Sequence, residues 1–145
     1  MNGQRKMQNL LFVLGIAHCT FCISSCSIPS LESRECAEAR NTVKEFYSWY
    51  LGTDAKTRER QRVTYDRFIA PSFGATTSDD LDPFFLSLTP PTTFKIGKCE
   101  TKNESNTEIQ VQLYWRLADK TQQEEVFAET IKTGDTWLID KVESR

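Results

Sequence analysis

The chain reads as an α+β protein: two or three N-terminal helices packed on a four-stranded antiparallel bent sheet. Two observations predict this. Apolar residues recur at three- and four-residue spacing in separate segments between Cys36 and Leu88, broken by a small polar loop over Ser72 to Ser78, then alternate singly beyond Pro90-Pro91. Helical segments followed by a run of strands give a sheet with helices gathered on one face.

The first helix starts at Ser33, a residue type that caps helix N-termini. Cys36, Ala39, Val43, Phe46, Tyr47 and Tyr50 form one apolar stripe along it, and Gly52 fits a stop. Ala55 to Ala70 carries a weaker apolar face of Val63, Phe68 and Ile69, and Pro71 limits it. Its basic residues Lys56, Arg58, Arg60, Arg62 and Arg67 can meet anionic lipid or an acidic partner, or form a solvated face balanced by Glu59 and Asp66. Leu81, Phe84, Phe85 and Leu88 have helical spacing, with Asp80 as a cap and Pro83 in the first turn, so a short helix is expected there. Asp79, Asp80 and Asp82 lack the glycine and closing glutamate of a calcium-binding loop, and capping explains them better.

Phe94 to Cys99 alternates, and Ile109, Val111, Leu113, Trp115 and Leu117 alternate with polar neighbours. Glu125 to Lys132 and Thr136 to Val142 are two further strands, joined by a two-residue turn at Gly134-Asp135. Val111, Leu113 and Trp115 are expected to face the helix stripe and the Phe84-Phe85 pair. They either fill the core or leave an open end in which Tyr47, Tyr50, Phe85 and Trp115 line an apolar pocket.

The N-terminus carries a different message. Arg5 and Lys6 precede an apolar run from Leu10 to Ile23, about fourteen residues, where a membrane-spanning helix needs roughly 20. The run ends in Ile23-Ser24-Ser25-Cys26. Charge, apolar segment, small residues and cysteine resemble the bacterial lipoprotein signal. That resemblance implies a signal peptide over 1–25, lipidation of Cys26, a tether over 26–32 and a single domain over 33–145. Ser27 after the cysteine implies sorting to the outer membrane, on its periplasmic face. Cleavage near Ser25 or Ser27 without lipid, and an uncleaved anchor reaching Ile28, are the alternatives.

Cleavage before Cys26 leaves 120 of the 145 residues, with 16 basic and 20 acidic side chains. An acidic domain has no overall attraction for nucleic acid. The single histidine, His18, leaves with the signal, so histidine-based nucleophilic, acid–base and zinc chemistry leaves with it. No cofactor or metal is expected. Cys36 and Cys99 are the two cysteines remaining beside Cys26; after export they form either a disulfide or two buried thiols.

The element order, the aromatic helix end from Phe46 to Leu51 and the terminal Trp137-Leu138-Ile139 strand resemble the nuclear-transport-factor-two-like (cystatin-like) family. The helix end followed by Asp82-Pro83-Phe84 also resembles small exported bacterial domains. The likeness implies a cone whose first helix lies in the hollow of the sheet. Function is expected to be non-catalytic binding of an envelope protein or a small apolar ligand. A periplasmic immunity or inhibitor protein is the alternative. An isomerase-like enzyme is a third reading, in which Tyr47 or Tyr65 would work with Asp66 or Glu129.

Overall fold

The computed structural model describes residues 32–74 and 80–145. The signal-like segment, Cys26 and Asp79 lie outside the described residues. The described residues form three helices followed by four strands: α1 (Arg34–Gly52), α2 (Ala55–Arg60), α3 (Arg62–Asp66), β1 (Thr93–Asn103), β2 (Asn106–Arg116), β3 (Thr121–Thr133) and β4 (Thr136–Glu143). The strands make an antiparallel meander in the order β1-β2-β3-β4. None of the helices is long and apolar enough to cross a membrane.

Helix α1 packs across one face of the sheet, against β1, β2 and β4. Its stripe from Cys36 to Tyr50 is buried. Ile109, Val111, Leu113 and Trp115 of β2 are buried at alternate positions, so they form the inner face. Ser33 caps α1 by accepting a hydrogen bond from the Cys36 amide at 3.1 Å. The other end of α1 departs from expectation. Gly52 is the last helical residue, and Thr53 is extended rather than left-handed. The last carbonyls are met by Arg58, which donates to Tyr50 O at 2.7 Å and to Thr53 O. One residue of the basic run is thus a helix-end clamp; its guanidinium also lies 4.2 Å from the centre of the Tyr50 ring.

The second helix expected over Ala55 to Ala70 is broken into α2 and α3 at Gln61, and Val63 is 86% exposed. Phe68 and Ile69 are buried outside the helices. There Ile69 forms a parallel bridge with Ile139, and Ile139 N donates to Phe68 O while Ala70 N donates to Ile139 O. This covers part of the β4 edge.

The helix expected over Leu81 to Leu88 is a chain of turns instead. Asp82 Oδ1 accepts from the amides of Phe84 and Phe85, at 2.9 and 3.2 Å. Leu86 N bonds back to Asp82 O, but Leu86 itself has φ 52°, and the single turn stops there. Leu88, assigned to the apolar face, is 75% exposed.

The strands run longer than the alternation suggested. Gly134, with φ 61°, starts the β3–β4 turn. A bulge sets Gly97 and Lys98 against Gln110, whose side-chain oxygen accepts from Lys98 N at 3.1 Å. A Cβ at position 97 would come within 2.2 Å of that oxygen, so a larger residue there would have to push the Gln110 side chain off Lys98 N.

Candidate functional site

The four residues expected to line a pocket occupy the core. Tyr47 is fully buried, Phe85 is 2% exposed, Tyr50 8% and Trp115 9%. Phe46 stands 4.6 Å and Tyr50 4.9 Å, ring centre to ring centre, from Phe84, both edge-on. Tyr47 meets Phe94 at 5.6 Å and Phe85 at 6.2 Å. Such aromatic packing leaves no hollow between helix and sheet at these positions, and the open-ended pocket is replaced by a filled interior.

The polar ends of these rings are also engaged. Tyr47 donates its hydroxyl hydrogen to Phe84 O at 2.8 Å. Tyr50 donates to Asp82 Oδ2 at 2.9 Å, and Trp115 Nε1 donates to Thr89 O at 3.0 Å. Two helix tyrosines and one strand tryptophan thus fix the turns between Asp82 and Thr89.

Among the described residues, recesses open at the surface instead. A recess of about 390 Å³ lies beyond the end of α1, lined by residues including Tyr50, Asp54, Arg58, Phe85 and Pro90. Tyr50 and Phe85 are the two expected pocket residues it includes; Tyr47 and Trp115 line none of the described recesses. A second recess, lined by Tyr50, Arg58, Glu59, Arg62 and Tyr65, carries most of its polar groups as charges.

The residues nominated for an isomerase-like reaction do not converge. Tyr47 is sealed in the core, and burial pushes its hydroxyl far above the ordinary tyrosine range. Glu129 pairs across the sheet with Glu108, on the face away from α1, and Asp66 is exposed at the end of α3. The tyrosine–carboxylate pair the fold does form, Tyr50 with Asp82, was not legible from spacing. The sequence points to Asp80 as the cap, whereas Asp82 is the residue that accepts from the following amides. Burial, followed by the neighbouring Asp82 charge, pushes the Tyr50 hydroxyl well up, so it stays protonated at neutral pH.

Two further charged groups were not foreseen. Glu38 accepts from Arg34 Nε at 2.7 Å, Trp137 Nε1 at 3.1 Å and Lys132 Nζ at 3.3 Å. These donors, Arg34 foremost, hold its carboxyl down to about 2. On the outer sheet face Glu108 is 4% exposed, paired with Arg145 and with Lys102 Nζ at 3.6 Å. Its carboxylate lies within 4.8 Å of those of Glu129 and Glu143. The cationic partners already compensate the buried charge, and an alternating strand pattern gives no warning of such a residue.

Cys36 and Cys99 are joined by a disulfide, with Cα atoms 5.8 Å apart. It links the first turn of α1 to β1. No family model matches this chain, and no characterised protein or solved structure matches it either.

Proposed function

We propose that this chain is an outer-membrane lipoprotein, held at the periplasmic face by acyl chains on Cys26. Its folded unit is a non-catalytic module that binds a protein partner. The observation that carries the reading is the filled interior. A small apolar ligand would have to displace Tyr47, Phe85 or Trp115, each buried and bonded or packed in place. A protein partner needs only surface, and the sheet face opposite α1 offers it, with Gln110, Gln112 and Tyr114 of β2 at its centre.

Export is supported by the signal-like segment together with the oxidised cysteine pair, since disulfides persist in oxidising compartments. The non-catalytic reading is supported by the Tyr50–Asp82 pair, whose carboxylate is taken up in structural hydrogen bonds. Asp82 alone holds Tyr50, Phe84 and Phe85.

Photo-crosslinking in living cells tests the reading. A photoreactive residue replaces Gln112 on the sheet face, or Ala55 at the recess. A discrete protein adduct from Gln112 is expected. Adducts from neither position, with a small molecule co-purifying instead, would contradict it. If the captured protein is a toxin or hydrolase that the module silences, the module is an inhibitor.

A further inference from the structure

Three alternate residues of β1 grip the chain where it joins the folded unit. Arg40 donates from Nη1 to Gly97 O at 2.6 Å, while its Nε and Nη2 reach Glu32 Oε1 at 2.8 and 2.5 Å. The Ser33 and Thr101 hydroxyls lie 2.9 Å apart. The Cys36–Cys99 disulfide sits between these two contacts. Glu32, Ser33 and Arg34 are exposed, and the first core side chains of α1 are Cys36 itself and Ala39. The hydrogen bonds and the ion pair here lie at or near the surface and are individually weak beside a covalent link. The covalent link therefore dominates this grip.

We propose that the Cys36–Cys99 disulfide is a redox-governed buckle that decides whether the start of α1 stays pinned to β1. With the bridge closed, Glu32, Ser33 and Cys36 are all held against β1 or Arg40. With it open, residues up to about Ala37 leave the sheet, and the next firm hold is Ala39 with the Glu38–Trp137 contact. The four helical residues Arg34 to Ala37 then pass from helix rise to extended chain, adding roughly 8 Å of reach. This deepens the lipoprotein reading, because reach matters to a domain held to a bilayer by a short tether.

The opening chemistry is thiol–disulfide exchange with a dithiol. One thiolate of the reductant attacks Cys99 Sγ, the more exposed sulfur's residue, and Cys36 leaves as a thiolate that takes up a proton. The second thiol of the reductant then displaces Cys99, which is protonated in turn. The reductant carries away the disulfide, and two electrons and two protons have passed to the protein.

Amide hydrogen exchange on the full chain, before and after dithiothreitol, tests the buckle. The amides of Ala37, which bonds to Ser33 O at 3.0 Å, and of Val43 are compared. Reduction should lower the protection of Ala37 relative to Val43 at least tenfold, and the Cys36→Ser/Cys99→Ser variant should match the reduced protein. An unchanged ratio overturns the proposal, whether both amides hold or both lose protection together in a general unfolding; the bridge is then an ordinary staple. Acylation at Cys26, read separately by mass, bears on the anchor alone, so loss of the anchor is distinguishable from loss of the buckle.

Discussion

Tyr47 and Phe84 are joined by a hydrogen bond of 2.8 Å between hydroxyl and carbonyl, wholly inside the core and 37 residues apart in sequence. It ties the middle of α1 to a segment with no regular secondary structure. Removing the hydroxyl leaves a buried carbonyl without this partner. Tyr47→Phe is therefore expected to lose about 1–3 kcal/mol in chemical denaturation, although it keeps the ring. A loss near zero would mean that water reaches the Phe84 carbonyl.

Trp115→Ala should cost about 3–5 kcal/mol, as large-to-small core changes do. The indole is 9% exposed and also holds Thr89. A loss below about 1 kcal/mol would revive the open pocket, because a ring lining a void has fewer neighbours to lose.

The Glu38 carboxyl is held at about 2 in the folded chain, against an ordinary value of 4.5. A depressed folded value stabilises the fold above the unfolded value and ceases to do so as pH falls. The contribution should thus be complete above about pH 5 and lost progressively between about 4.5 and 2. Glu38→Gln should flatten this part of the stability–pH curve relative to wild type. Equal slopes in the two proteins would show that other carboxyls carry the acid sensitivity.

Arg58→Ala should destabilise the fold by about 1 kcal/mol or more, since it uncovers the carbonyls of Tyr50 and Thr53 at the end of α1. Arg60→Ala, in the same basic run but with an exposed side chain, should stay within about 0.5 kcal/mol. Equal losses in thermal melts of the two variants would contradict the clamp.

The fold class was legible because period is a local property. The stripe from Cys36 to Tyr50 and the alternation from Ile109 to Trp115 each report a single buried face. The segment from Leu81 to Leu88 misled for the same reason. Its spacing fits a helix, but Asp82 bonds to two amides of the following turn and Tyr50 bonds to Asp82, so tertiary contacts override the local pattern. The pocket residues were correctly assigned to the interior. Whether aromatic rings meet or leave a gap depends on packing between elements, which no single segment records. Glu38 and Glu108 were hidden because their partners, Trp137 for one and Arg145 for the other, lie far along the chain.

The central claim is an exported, lipid-held module, and the intact mass of the detergent-extracted protein tests it most directly. The account predicts a mature chain that begins at Cys26 and carries diacylglyceryl and acyl groups, and no such species from Cys26→Ser. A mature chain without acyl mass, with a free N-terminus at Cys26 or later, would contradict it.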